Sequence, residues 1–397
     1  MIKPSGVEYH KFVEGQRKPD PWQTHMNYLF RVVLLIGTFV GLGLVLLALV
    51  SAFSSTSEFK RITDRVEHTQ IRKQDPSFNE DYRKYLQFLK EHDRKYDDPD
   101  EFDLRFGHFR KTLEKVKRLQ HLEKLTKTEF GINEMADMSE DEIKEMLLPL
   151  DFYKKLRKEA TFIQPAPPMD KLPKKDSSPY PAHFDWRDKG VVTPSRSQHH
   201  CGSCWAFATV TTVESTYAIA HGVLRNLSQQ ELLDCNLEND ACGGGTVDKA
   251  LKFIHKYGLM TADQYPYVAH RQNTCALNDY SGPTTKVELA YFLNPDENAM
   301  IEWLVNYGPV NVGISVPPDM TPYKGGVYHP SAYDCKFRVL GLHALNIVGY
   351  GTNEDGEKYW IVKNSWGPKW GVEQGYVYFA RGINACGIED DPVGILA

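Results

Sequence analysis

The sequence predicts a small helical unit that precedes a larger, disulfide-bearing domain. Three observations predict it. All seven cysteines lie after residue 200, so the first half has none. Amphipathic helical patterns fill residues 81–125, inside that cysteine-free half. An uncharged apolar stretch, residues 32–53, stands apart near the N-terminus. The 397 residues exceed one typical domain. A hydrophobic fraction of 41% and a charged fraction of 25% are ordinary for a globular protein. The net charge of -5 and pI near 6.3 lack the basic excess of a nucleic-acid binder.

Taken in order, residues 1–27 form a polar tail and residues 28–54 enclose the apolar segment. That segment matches the ~20 residues a helix needs to cross a bilayer and exceeds the ~7–15 of a secretory signal core. It reads as a retained signal anchor, although the small residues Val50, Ser51 and Ala52 also fit a cleavage site. Basic residues balance across it, so charge does not orient it. The cysteines do: disulfides need an oxidising compartment, which places the C-terminal side in the lumen or outside the cell. Residues 55–77 are a linker.

Residues 78–163 are expected to form a second unit. Tyr82, Tyr85, Leu86 and Leu89 share one helical face. Phe102, Phe106, Phe109, Leu113 and Val116 recur at helical steps after a break at Asp97-Asp98-Pro99. Glu101 and Arg105 are an i,i+4 pair in the favourable order. Residues 130–137, FGINEMAD, are glycine-broken and read as extended. Residues 164–180, QPAPPMDKLPKKDSSPY, cannot pack a core and read as an exposed, cleavable linker. Residues 181–397 remain for the larger domain.

That domain opens near SQHHCGSCWAF, residues 197–207. After Ser203 the pattern turns helical through Ala206, Val210, Val213 and Tyr217 and stops at Gly222. Ser203 is the candidate N-cap, which puts Cys204 in the first turn, where the helix dipole favours a thiolate. Cys201 lies in the preceding loop. Three readings fit two cysteines three apart: a redox pair, half of a zinc site with His199 and His200, or a structural cysteine beside a nucleophile. Crowding four ligands into six residues is unlike usual zinc spacing.

The stretch Gln198-x-x-Cys201-Gly202-Ser203-Cys204-Trp205 resembles the nucleophile region of papain-family cysteine proteases. Leu340-Gly341-Leu342-His343-Ala344-Leu345 resembles the family's histidine strand, and residues 359–367, YWIVKNSWG, its asparagine motif. The resemblance implies an α+β fold: a left helical domain and a right antiparallel β-barrel-like domain with a cleft between them. Cys204 would be the nucleophile, His343 its acid and base, Asn364 the group orienting that imidazole, and Trp366 its shield from water. Gln198 would donate to the oxyanion. Disulfides Cys201–Cys242, Cys235–Cys275 and Cys335–Cys386 would leave Cys204 free. Gly202, Gly244, Gly245, Thr246, Val247, Gly341 and Ala344 would line the substrate cleft, with Asp391 at the floor of the pocket for the second residue before the cut.

Glu101, Arg105, Phe109, Gly131, Asn133 and Asp137 resemble the cathepsin L-like propeptide, with Thr112, Val116, Gln120 and Met135 departing from its pattern. In that family this segment lies across the cleft and blocks it. The resemblance therefore implies an endopeptidase made as a zymogen. Its partners would be protein and peptide substrates and its own prodomain, with no cofactor and no metal. It implies a monomer after activation. With the anchor, the expectation is a type II membrane protein of the endolysosomal or secretory pathway. A catalytically silent, membrane-tethered binding protein is the other class. A paired Asp137 is expected to loosen the prodomain as pH falls.

Two departures stand in the site itself: His199 replaces the family's glycine and Leu342 its Asp or Asn. Asn226-Leu227-Ser228 is a glycosylation acceptor pattern, and Ser228 with Glu231 also reads as a capping box.

Overall fold

Aromatic side chains knit the first two helices together. Helix α1 (Phe78–Glu91) and helix α2 (Pro99–Thr126) cross so that the Tyr85 ring lies 5.2 Å from both Phe106 and Phe109, and Phe88 lies 5.1 Å from Phe109. The α2 seam is the expected one, with Phe106, Phe109, Leu113 and Val116 buried. The α1 seam is rotated: Tyr85 and Phe88 are buried while Leu86 is 45% exposed. Asp81 sets this rotation by turning inward to accept from Arg110 Nε at 3.0 Å, and Phe88 then lies one helical turn above Tyr85 on the same side.

This computed structural model describes residues 77–152, 156–166, 172 and 179–397. The expected polar tail, apolar segment and most of the first linker lie outside the described residues. Among the described residues no helix is long and apolar enough to cross a membrane.

After α2, strand β1 (Glu129–Phe130) pairs antiparallel with a strand of the larger domain, joining Glu129 to Gly325 and Phe130 to Tyr323. Of the expected extended stretch only Phe130 is strand; residues 134–137 turn. Asn133 explains the turn. Its Oδ1 accepts from the Met135 amide, and its Nδ2 donates to Thr321 O at 2.8 Å. Helix α3 (Glu140–Glu145) opens on a capping box made by Ser139 and Glu142. Helix α4 (Leu156–Glu159) and strand β2 (Gln164–Pro165) follow, then strand β3 (Phe184–Asp185).

Helix α5 (Cys204–His221) is buried on every side from Cys204 to Thr216, as a helix at the centre of a domain must be, with its one charged residue in that stretch, Glu214, paired to Arg196. It ends where Gly222 takes a left-handed conformation at φ 72° and returns its N–H to Ala218 O. Its start differs from expectation. Ser203 occupies the N-cap but caps nothing, because its hydroxyl is 2.7 Å from Tyr267 Oη. Helices α6 (Gln230–Cys235) and α7 (Val247–Tyr257) pack with α5 around Val210, Val213, Leu232, Leu251 and Ile254.

The sheet side adds strand β4 (Leu289–Phe292), helix α8 (Glu297–Asn306), strands β5 (Val310–Val316), β6 (Tyr323–Gly325) and β7 (Val327–Tyr328), and helix α9 (Ala332–Phe337). Strands β8 (Gly341–Thr352), β9 (Lys358–Lys363), β10 (Tyr376–Ala380) and β11 (Val393–Leu396) complete it. The order β2-β4-β11-β5-β8-β9-β10-β7, with β3 on β8, makes a nine-stranded sheet that is mostly antiparallel. Its core is separate from the helical one and holds Trp303, Val312, Leu345, Trp360, Val362 and Phe379. The fold is the α+β arrangement of a helical half facing a sheet half.

Candidate active site

Register brings the distant residues together. Strand β5 pairs with β8 so that Ile314 faces His343, and β8 pairs with β9 so that Asn346 faces Lys363. Continued past the end of β9, that register carries Asn364–Trp366 back alongside Leu345–His343. His343 Nε2 and Asn364 Oδ1 are 2.7 Å apart. The Trp366 indole stacks on the imidazole at 4.9 Å and is itself 2% exposed, so water does not reach that bond. The first residue of α5 meets this strand. Cys204 packs in one cluster with Ala344, whose backbone amide, next to His343, pulls the thiol's pKa down.

Cys204 is the free thiol among the described cysteines, and it is fully buried. The three disulfides join Cys201 to Cys242, Cys235 to Cys275 and Cys335 to Cys386. Cys201 is therefore spent on Cys242, which leaves neither a Cys201–Cys204 redox pair nor two thiols for zinc.

The charge state differs from the thiolate expected at a helix start. Burial pushes the Cys204 thiol up to about 12, against smaller downward pulls from the amides of Ala344, Trp205 and Cys204 itself. Burial also drives His343 down to about 4, opposed by its bond to Asn364. His343 Nδ1 has no hydrogen-bond partner. Thiol and imidazole are both neutral here, because the segment between α3 and α4 covers them.

That segment follows the cleft residue by residue. Gln198 Nε2 donates to Met146 O at 2.7 Å and to Cys201 O at 2.8 Å. The Gln198 amide is locked by Ser365, whose hydroxyl donates to Gln198 Oε1 at 2.6 Å. Leu148 forms an antiparallel bridge with Leu342, exchanging hydrogen bonds of 2.7 and 2.8 Å. Gly341 permits this approach, since a Cβ there would meet Leu147 Cβ at 2.6 Å. Gly244, at φ 122°, leaves room for the Phe152 ring, and Gly202 is held by its N–H on Cys242 O at 3.1 Å. Phe152 and Leu156 then close one side of a small pocket whose other walls are Trp205, Gly245, Thr246, Val247, Asn311 and Ala344.

Asp391 is not among those lining residues. It borders a neighbouring groove of about 370 Å³ with Gly313, Ser315 and Leu342. There it pairs with Arg157 of α4, which also donates to Leu293 O and Asp390 O. The two departures have structural reasons. His199 sits at φ 50°, a left-handed conformation that suits glycine, and its ring stacks on Tyr267. Leu342 is 7% exposed and packs in one cluster with Leu148 and Leu156, an apolar contact that an Asp would not make.

Asn226 is exposed, with Leu227 and Ser228 buried behind it. The expected capping box is only half formed. Ser228 Oγ accepts from the Glu231 amide, but the Glu231 carboxylate accepts from Met260 instead.

The prodomain latch has the wrong charge for the expected Asp137 effect. Asp137 accepts from Tyr96 Oη at 2.6 Å, yet burial raises its pKa, outweighing Tyr96, Arg94 and Arg105. A carboxyl raised on folding gains stability as pH falls, so Asp137 opposes acid loosening.

Reasoning from sequence missed the cleft-covering residues Met146, Leu148, Phe152, Leu156 and Arg157, and Ser365 and Asn311 beneath them. Met146 acts through its carbonyl, which no side-chain pattern reveals.

Comparison with known proteins agrees with this geometry. Residues 180–396 match the papain family cysteine protease domain, and residues 85–143 match the cathepsin propeptide inhibitor domain. The chain is 38% identical over 308 residues to cathepsin F of Drosophila melanogaster, covering 75% of this chain and 47% of that protein. It is 34% identical over 316 residues to fruit bromelain of Ananas comosus, covering 78% and 85%. A digestive procathepsin L2 proteinase from the Tenebrio molitor larval midgut superimposes with a TM-score of 0.70 at 31% identity. That match covers 80% of this chain and all of the other. With a thiol, an imidazole and an amide side chain converging under a segment that matches the propeptide inhibitor, the chain belongs to the papain family of cysteine proteases.

Proposed function

We propose that the chain is the zymogen of a cysteine endopeptidase acting through a thiolate acyl-enzyme. The observation that carries this is the Gln198 amide, already donating to a peptide carbonyl laid over the cleft. Removing the prodomain readmits water and removes the burial that keeps both groups neutral. His343 Nδ1, left without a partner, then takes the Cys204 proton. The thiolate sulfur bonds the carbonyl carbon while Gln198 bonds the developing oxyanion. The C–N bond breaks as His343 returns the proton to the leaving amine. Water then releases the acid and regenerates the thiol. A labelled epoxide tests this: it should modify Cys204 after prodomain removal and not before. A catalytically silent binding protein would stay unlabelled in both states.

Asp391 supports a tolerance for basic side chains on the non-primed side, because Arg157 of the prodomain already engages it. We expect Asp391→Ala to lower kcat/KM on an arginine peptide by about tenfold while leaving a leucine peptide unchanged; equal losses on both would remove the assignment.

Residues 28–54 are proposed as a signal anchor that places a monomeric, Asn226-glycosylated enzyme in the endolysosomal or secretory lumen. Carbonate extraction of native membranes, with mass spectrometry of the mature N-terminus, tests it. Release of the zymogen by carbonate would contradict it.

A further inference from the structure

Strand β5 has two unlike faces. Val310, Val312, Ile314 and Val316 point into the sheet core. The alternate residues are Asn311, Gly313 and Ser315, and these look toward the cleft: Asn311 lines the small pocket, Gly313 and Ser315 the neighbouring groove. Asn311 is 4% exposed, and its Nδ2 has no hydrogen-bond partner. A buried amide donor without a partner is costly and seldom retained without a use. Around it the pocket offers no exchange. Its other walls are Trp205, Gly245, Thr246, Val247 and Ala344, and in the zymogen the hydrocarbon side chains of Phe152 and Leu156 close it. The Trp205 N–H is committed to Ala241 O at 3.0 Å, and Thr246 Oγ1 accepts from the Lys249 amide as a helix cap. Only about 10 Å³ remains beside the two prodomain side chains, at most one water's worth.

The prodomain thus closes this pocket with hydrocarbon and leaves the buried Asn311 amide unanswered. A substrate side chain that replaced Phe152 and Leu156 with an apolar stem carrying an acceptor would answer it. We propose that Asn311 is a specificity-determining residue, selecting substrates whose side chain in this pocket is threonine or glutamine over their hydrocarbon counterparts. This rests on the protease reading and deepens it. It also accounts for the inhibitor being purely apolar here: an occupant that forgoes the hydrogen bond is the weaker ligand and is displaced once the prodomain loosens.

The test measures kcat/KM of the activated enzyme on four peptides that place Val, Thr, Leu or Gln in this pocket. The parent is compared with Asn311→Val and Asn311→Ala, and active enzyme is counted by epoxide titration in each case. The Thr/Val and Gln/Leu ratios cancel differences in folding or expression. We expect at least one of these ratios to fall by about tenfold in both variants. Ratios unchanged within twofold in either variant, with Cys204 still labelled, overturn the role of Asn311 and leave the protease reading intact. An absence of labelling in the parent overturns both.

Discussion

Activated enzyme carrying Cys204→Ala is expected to lose roughly 10⁶-fold in kcat/KM on a peptide substrate, the scale on which removing a covalent nucleophile acts. Gln198→Ala is expected to lose only ~10²–10³. The difference follows from what each atom does. Without the sulfur no acyl-enzyme forms, and His343 has nothing to deprotonate but water. Without the Gln198 amide the oxyanion keeps its remaining donors and the covalent path survives. The Gln198 effect should fall on kcat more than on KM, because an oxyanion donor is worth most once charge develops. The Ser365–Gln198 bond of 2.6 Å makes a further distinction. A Gln198 side chain held this way loses little entropy when it bonds the oxyanion, so its deletion should not be rescued by Gln198→Asn, whose shorter chain reaches neither Ser365 nor the carbonyl. Both variants are read by steady-state kinetics on the activated enzyme. A Cys204→Ala enzyme retaining more than a hundredth of parental activity would refute the nucleophile. A Gln198→Ala enzyme at parental kcat would refute the oxyanion donor.

What the sequence disclosed here, and what it hid, divides along physical lines. Cys204, His343 and Asn364 were legible because each sits in a local motif whose backbone, a helix start or a strand, needs particular neighbours. The α2 seam was legible from its spacing alone, since Phe106, Phe109, Leu113 and Val116 repeat at the helical period. The α1 seam was not, because Leu86 and Phe88 are equally apolar and only the inward turn of Asp81 toward Arg110 decides between them. Ser203 followed N-cap preference and was overruled by Tyr267, sixty-four residues away. Asp391 was singled out by its spacing from Cys386, but its partner Arg157 lies 234 residues upstream, beyond any local pattern. The neutral state of Cys204 and His343 lay beyond any local pattern. A helix start lowers a thiol's pKa, but burial beneath Met146 and Leu148, more than fifty residues upstream, raises it by more.

Zymogen in which His92 is replaced by glutamine should activate more slowly than the parent at pH 5 and at the same rate at pH 7.5. His92 sits where the end of α1 meets the protease domain. Its ring packs on Phe88 at 4.7 Å, and Lys369 reaches over to donate to Glu91 O at 2.9 Å. Burial drives its pKa down to about 4, helped by Lys369, Arg94 and Lys324 and opposed only weakly by Glu91. Its Nδ1 has no hydrogen-bond partner. A base depressed on folding binds fewer protons folded than unfolded. Its stability is therefore whole above the unfolded value of about 6.5 and is lost as pH falls from there to about 4, by at most tenfold in the folded-to-loosened ratio per pH unit. Two histidines at the cleft share its sense: burial drives His343 down to about 4, and burial with His200 and Arg94 lowers His199. The carboxylates act elsewhere or in the opposite sense. Asp137 gains stability in acid. Glu142 is raised by burial but held at about 2 by Arg105 and Ser139, so its share is lost only below about 4.5. Arg105 itself stays charged throughout. Between pH 6.5 and 4.5 His92, together with His343 and His199, turns acid into loss of the inhibitor, and the variant isolates the His92 share. The measurement is the rate at which a labelled epoxide reaches Cys204 in intact zymogen, taken at half-unit pH steps for parent and variant. Dividing one profile by the other cancels the thiol's own titration. The quotient should rise steadily as pH falls below 6.5, and a quotient flat across that window would exclude His92 as a sensor.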